Sequence, residues 1–287
     1  MTDASEPLRT EMQRLAAAAI AAGGSILGLN DQAVAQTVLR AYFRTLPPVA
    51  GRHMVDVGAA YGSVAALFLE DGWTADLFEP DPACQRLLEP LLATYGPRIR
   101  LFPFAAAGEN RDGVPFLQNA TPGLSGLSAS PFGTTLGAIE VRSVRLDGML
   151  AAADVARLDL LKIDTEGNDF AVLETCDFTR LPPTLAFVEY SFYFAGQDEA
   201  QLRRALAAMR QRGYLAVIFE YDDDGNFKRG SWNHRLTAVH ADGLQVPTRR
   251  RRSATSSSTG RMTAIFRKPS STRSGPCHDR RRIDDRP

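Results

Sequence analysis

Short apolar runs alternate with longer amphipathic segments through the middle of the chain. Apolar runs of this length are typical of strands buried on both faces, and apolar repeats at three and four residues are typical of helices. The pattern predicts strands at 53–58, 74–80, 99–108, 158–164, 184–191 and 214–221, with helices at 63–72, 81–96 and 197–213 and another from 170. Strands that alternate with helices predict an α/β fold with a doubly wound, mostly parallel sheet.

The ends of the chain depart from this alternation. Residues 1–48 are predicted to form an N-terminal helical extension that ends at two adjacent prolines, and 269–287 a basic disordered tail. The Rossmann-like domain is then expected over 49–268. Its last antiparallel strand is either 235–240 or 262–268, with a slight preference for the second.

One internal segment also lacks a periodic pattern. Residues 109–137 are rich in Gly, Ser and Pro, and we expect an irregular connection there. Connections of this length are usually functional or disordered. With the helices before Arg52, this segment is expected to shape an acceptor pocket.

Composition excludes several classes of protein. The sequence contains no run of 18 apolar residues and no basic-then-apolar start, so a cytoplasmic protein without a membrane span is expected. Its three cysteines and four histidines are scattered without metal-ligand spacing, so neither a disulfide framework nor a metal site is expected. Thirty arginines against three lysines suggest a GC-rich bacterial genome.

Charge is divided unevenly along the chain. The segment from Pro247 onward carries 12 Arg and Lys against 3 Asp, a net charge of +9, which leaves −9 for residues 1–246. Four adjacent arginines at 249–252 are a possible contact for nucleic acid or acidic lipid. Without interleaved aromatic residues, a charged loop or tail is the favoured interpretation, and nucleic acid is a disfavoured partner.

A glycine-containing turn follows the first predicted strand, with the sequence Asp56-Val57-Gly58-Ala59-Ala60-Tyr61-Gly62. Glycines let a backbone approach a ligand closely, and the following helix directs amide donors outward. Glu79 ends the next strand about 20 residues later, where a carboxylate can accept hydrogen bonds from ribose hydroxyls. Together these features predict an adenosine-binding site. A dinucleotide fingerprint would need two further glycines, where this chain has Ala60 and Ser63.

A third group of polar residues follows the strand at 158–164, in the sequence Lys162-Ile163-Asp164-Thr165-Glu166-Gly167. Ligands bind at the carboxyl ends of strands in open α/β sheets, so Asp164 and Glu166 are candidates for catalysis. The alternative interpretation is that Glu166 and Asp169 only stabilise the N-terminus of the next helix. His234 is a further candidate base because of its ordinary pKa, and Glu189 with Tyr190 is a lesser candidate for the acceptor pocket.

The segments VDVGAAYG, LFEPDP, LDLLKIDTEGNDFAVLE and AFVEYS, in this order, resemble the FkbM family of class I methyltransferases over roughly residues 50–220. The resemblance implies S-adenosyl-L-methionine as cofactor. It implies that Asp56, Gly58 and Gly62 shape the methionine pocket, that Glu79 holds the ribose and that the backbone near Ala105 lies by the adenine. Ala60 stands where the family often has Asn, and with Tyr61 it completes the cofactor loop.

The expected reaction is O-methylation of a hydroxyl on a sugar, a polyketide or another small metabolite. Asp164 would receive the hydroxyl proton, and Glu166 would orient the acceptor or accept a hydrogen bond from the cofactor. Two alternatives remain open at this point. One is an NAD(P)-dependent oxidoreductase, and the other is a nucleotide-binding module without catalysis.

Overall fold

A computed structural model of the chain describes residues 38–191, 194, 197–223, 234–241 and 261–267. Its helices are α1 (Arg40–Thr45), α2 (Ser63–Glu70), α3 (Pro82–Tyr95), α4 (Leu146–Ala152), α5 (Asp169–Glu174) and α6 (Glu199–Gln211). The expected helix at 1–22, the arginine run and the basic tail lie outside these residues. Within them, no helix is long and apolar enough to cross a membrane.

The strands are numbered in chain order. They are β1 (His53–Val57), β2 (Thr74–Phe78), β3 (Ile99–Phe102), β4 (Ala105–Ala106), β5 (Arg111–Asn119), β6 (Thr135–Val144), β7 (Leu160–Ile163), β8 (Leu185–Ser191), β9 (Leu215–Asp223), β10 (His234–Ala241) and β11 (Arg261–Arg267). Eight of them form one sheet in the order β10-β9-β11-β8-β7-β1-β2-β3. The five strands from β8 to β3 are parallel, which confirms the predicted α/β fold.

The direction of winding reverses at β1. From β1 the chain continues to β2 and β3 on one side, and it later adds β7 and β8 on the other. Such a switch point opens a crevice at the carboxyl ends of the two central strands. The fold therefore places a binding site where β1 and β7 end.

Both segments considered for the last strand are strands. β11 inserts between β8 and β9 and is antiparallel to each, whereas β10 lies at the edge and pairs only with β9. The sequence presented the two segments as alternatives because both have the apolar pattern of a strand. The eight-stranded sheet contains both segments as strands.

Two apolar clusters cover the two faces of the sheet. Successive side chains of a strand point to opposite faces, and β8 shows this division clearly. Phe187 packs in the cluster that contains Phe68 and Trp73, whereas Val188 packs in the cluster that contains Phe170. Helix α1 joins the first cluster, because the rings of Phe43 and Trp73 meet edge to face with their centroids 4.7 Å apart.

The segment predicted to be irregular, 109–137, contributes most of a β-hairpin. Strands β5 and β6 pair antiparallel, and with β4 they form a second sheet in the order β4-β6-β5. Phe116 is buried there, while Pro115 lies on the edge strand, where a missing amide donor is tolerated. Gly, Ser and Pro residues interrupt the apolar alternation, which is why the pattern indicated a loop.

Truncation tests the position of β11. Ending the chain after Val246 removes β11 and leaves the facing edges of β8 and β9 unpaired, so we expect aggregation or loss of cooperative unfolding. Ending it after Pro269 keeps every described strand and should leave the melting temperature unchanged. Circular dichroism melts of both proteins provide the measurement, and equal melting temperatures would show that β11 is dispensable.

Candidate active site

The loop between β1 and α2 contains three residues with a left-handed backbone. The φ angles are 74° at Gly58, 49° at Ala60 and 75° at Gly62. Ala60 is an uncommon residue for this region, which costs a non-glycine residue about 1 to 3 kcal/mol unless the surroundings hold it. Its amide is held, since it donates to Oε2 of Glu79 at 2.8 Å.

Gly58 is required by a close approach between two strand ends. A Cβ atom built on Gly58 would lie 1.7 Å from the carbonyl oxygen of Asp164. The amide of Asp164 also donates to the carbonyl oxygen of Val57 at 3.0 Å. The loop after β1 and the end of β7 therefore pack backbone against backbone.

Glu79 directly follows β2 and is 5% exposed. Oε2 accepts from the amide of Ala60 and Oε1 from the amide of Asp81, both at 2.8 Å. Burial raises the pKa of Glu79 to about 7, although the two amide hydrogen bonds act in the opposite direction. Each carboxyl oxygen accepts one amide and retains a second lone pair, which is suited to a ribose hydroxyl.

A buried lysine joins the ends of β1 and β7. Lys162 pairs with Asp56 in the register of the two strands. Its Nζ lies 2.7 Å from the carbonyl oxygen of Gly58, 3.1 Å from Oδ1 of Asp56 and 3.4 Å from Oδ2 of Asp164. The motif contained Lys162, but sequence reasoning gave it no role. A lone lysine inside an apolar strand was the available signal, because a buried ammonium needs partners.

Three carboxylates converge beside this lysine. One oxygen from each of Asp164, Glu166 and Glu189 lies within 4.8 Å of the others. Glu166 is 7% exposed and has a φ of 52°. Oxygens at this spacing can hold a cation or a proton; the nearby ammonium of Lys162 supplies one positive charge. That no metal is needed remains a prediction.

Asp169 organises the turn that carries Glu166. Its Oδ1 accepts from the amide of Thr165 at 2.7 Å, and its Oδ2 accepts from Nε2 of Gln197 at 2.8 Å. Sequence reasoning had allowed that both Glu166 and Asp169 only stabilise the following helix. The structure separates them, because Asp169 holds the turn while Glu166 faces the carboxylate cluster.

The hairpin of β5 and β6 covers the part of the crevice next to the ends of β1 and β2. Oγ of Ser125 donates to Oδ2 of Asp81 at 2.7 Å, and Nε2 of Gln118 donates to Oδ1 at 3.1 Å. Beneath the cover lies a narrow, mainly apolar cavity lined by Val57, Gly58, Phe78, Pro80, Ala105, Ala106, Phe116, Leu127, Thr165 and Asn168. Sequence reasoning included Ala105 but missed Asp81 and the hairpin residues.

The remaining candidates lie at different distances from the crevice. Tyr61 is in the loop after β1 with 53% of its surface exposed. His234 begins β10, which is separated from β7 by β9, β11 and β8. With strands about 4.8 Å apart, the backbones are separated by roughly 19 Å. The structure therefore does not bring His234 to Asp164.

The Rossmann-like α/β fold and its crevice suit a nucleotide-derived cofactor, and the family match shows the class of protein: the chain is an S-adenosylmethionine-dependent methyltransferase. Its family follows from the sequence. The Methyltransferase FkbM domain matches residues 56–216, more than half of the chain, so the protein belongs to the FkbM methyltransferase family. No curated protein matches the sequence.

Several solved structures resemble this one at low identity. A protein of Pyrococcus horikoshii described as an RNA methyltransferase is 10% identical, with 82% of this chain and 85% of that chain covered and a TM-score of 0.41. A precorrin-6Y C5,15-methyltransferase of Geobacter metallireducens is 12% identical, with 79% and 86% covered and a TM-score of 0.39. The StiE O-MT is 12% identical, with 81% and 74% covered and a TM-score of 0.40.

Substitutions at two glycines separate the cost of close packing at Gly58 from the cost of a left-handed backbone alone. Gly58→Ala adds a Cβ to a crowded left-handed position, and Gly72→Ala adds one at φ 84° with nothing within 4 Å. We expect Gly72→Ala to cost about 1 kcal/mol of stability from strain alone, and Gly58→Ala to cost more and to abolish cofactor binding. Urea unfolding and calorimetry measure both effects, and equal losses would contradict the close approach.

The pKa of Glu79 predicts a pH dependence of folding. Its ordinary pKa of 4.5 is raised to about 7 in the folded protein, so between these values the folded state binds more protons than the unfolded state. Stability should therefore fall as pH rises through this window, by roughly 3 kcal/mol from this group. Glu79→Gln cannot titrate and should remove that part of the slope in urea unfolding measured from pH 4 to 8. An unchanged slope would contradict the shifted pKa.

Proposed function

We propose that this methyltransferase methylates a hydroxyl of a sugar, a polyketide or another small metabolite, using S-adenosyl-L-methionine. The observation that carries the proposal is the carboxylate cluster of Asp164, Glu166 and Glu189 at the end of β7, next to the glycine loop. Hydroxyl methylation needs a proton acceptor beside the methyl donor. The cluster offers carboxylate oxygens in that place.

The residues around the crevice suit the proposed cofactor. Glu79 would hold the ribose hydroxyls, and the loop of Asp56, Gly58, Ala60, Tyr61 and Gly62 would hold the methionine part. The cavity at Ala105 is mainly apolar, as a purine ring requires. When bound, S-adenosylmethionine supplies an electrophilic methyl group on a positively charged sulfur.

The protein's contribution would be alignment, exclusion of water and removal of a proton. Asp164 would accept the hydroxyl proton on a carboxylate oxygen, while Glu166 would accept a hydrogen bond from the acceptor and orient it. The hairpin of β5 and β6, tied to Asp81, would keep water from the cavity. A general base of this kind contributes about 10²- to 10⁴-fold to the rate.

Charge favours a neutral acceptor over a phosphate-rich one. Three carboxylates would face the acceptor, and Lys162 forms an ion pair with one of them, Asp164. Acidic groups repel phosphates, and nucleic-acid sites usually present a basic surface instead. A small neutral metabolite therefore fits the cluster better than RNA.

Removing the ribose-binding carboxylate tests the cofactor site. Glu79→Ala should weaken binding of S-adenosylmethionine about tenfold or more, because hydrogen bonds to a charged group are worth roughly 1.5 to 3 kcal/mol. The control is Glu89→Ala, which removes an exposed glutamate of α3. Isothermal titration calorimetry provides the measurement. Unchanged affinity in folded Glu79→Ala protein would remove Glu79 from the site.

A further inference from the structure

Two acids lie side by side near the carboxyl ends of β7 and β8: Asp164 directly follows β7, and Glu189 lies within β8. Ile163 and Val188 are partners in the parallel register, so the next residues, Asp164 and Glu189, are also neighbours. A carboxyl oxygen of Asp164 lies within 4.8 Å of a carboxyl oxygen of Glu189, close enough for the two groups to influence each other's ionisation. Glu189 was only a lesser candidate for the acceptor pocket in the sequence, because a strand-end glutamate is usually solvated.

A hydrogen bond between two carboxyl groups needs a proton on one of them, since ionised carboxylates only accept hydrogen bonds. Two carboxylates that share a site therefore do not both ionise easily, and their protons belong to the pair. The side chain of Asp164 is 16% exposed, so little water is available to separate the charges. Burial and the neighbouring Glu189 raise the pKa of Asp164 well above its usual range.

Several charged groups surround the pair. Lys162 of β7 lies 3.4 Å from Asp164, but its ammonium also lies 3.1 Å from Asp56 of β1. Glu166 belongs to the same cluster. The negative charge of Asp169 in α5 also raises the pKa of Asp164. One ammonium thus serves several carboxylates, and a retained proton lowers the repulsion among them.

We propose that Asp164 and Glu189 share a single proton and act together as the proton-accepting pair, and that a larger fraction of the pair is anionic when a positively charged methyl donor is bound. The proposal rests on the proposed function. In the reaction the O–H bond of the acceptor and the S–CH₃ bond break, and an O–CH₃ bond forms. The hydroxyl proton passes to an anionic oxygen of the pair and later leaves to solvent.

The charge of the methyl donor gives the pair a measurable property. S-adenosylmethionine carries a positive sulfur, whereas S-adenosylhomocysteine is a neutral thioether with the same ribose, adenine and amino-acid groups. A positive charge close to the pair favours its anionic form and should expel a fraction of a proton. Proton release at Glu79 should be common to both ligands and should cancel in their difference.

Calorimetry in buffers of different ionisation enthalpy counts the protons released by each ligand from pH 6 to 9. We expect S-adenosylmethionine to release more than S-adenosylhomocysteine from the wild-type protein. Asp164→Asn and Glu189→Gln each leave a single carboxyl group that titrates at lower pH, so both should abolish the difference. The matched controls Asp154→Asn and Glu174→Gln, at exposed positions, should retain it.

Other outcomes overturn the shared proton. If only Asp164→Asn abolishes the difference, Asp164 titrates alone, and if neither variant does, the proton lies elsewhere. If neither ligand binds the wild-type protein, the proposed function fails, and ¹³C NMR of labelled aspartate carboxyls then tests the pair without a ligand. The Asp164 resonance should titrate at a higher pH in the wild type than in Glu189→Gln; an identical titration in both would also refute the pair.

Discussion

The crevice depends on the buried ammonium of Lys162, which joins the loop after β1 to the ends of β1 and β7. It binds the carbonyl oxygen of Gly58 in the cofactor loop, Asp56 on β1 and Asp164 after β7. Without a cation there, two carboxylates would face each other in a buried region, which is costly. One side chain thus sets both the shape of the loop and the charge of the acids beside it.

The apolar pattern predicted the sheet well, because strands buried on both faces have few alternatives for their side chains. The crevice followed from topology, since ligands in open α/β sheets bind where the winding reverses. Glu79 and Asp164 were selected as candidates for this reason, and both lie beside the crevice. Their positions depend on strand ends, which a local pattern can locate.

Contacts between distant segments were much harder to predict. Ser125 and Gln118 reach Asp81 across the chain, and nothing in their local sequence indicates that contact. His234 was selected for its ordinary pKa, but the insertion of β11 moves β10 away from β7. Glu189 gained importance only through the register with β7, which pairs it with Asp164.

The hairpin of β5 and β6 also bears on how such an enzyme can change its substrate. It leaves the main sheet after β3 and returns before β7, so both of its ends are fixed to strands that other contacts hold in place. Among its contacts with the crevice, Ser125 and Gln118 donate to Asp81, while Phe116 and Leu127 line the cavity. The hairpin can therefore change in length or sequence during evolution without moving the strands of the main sheet that form the crevice.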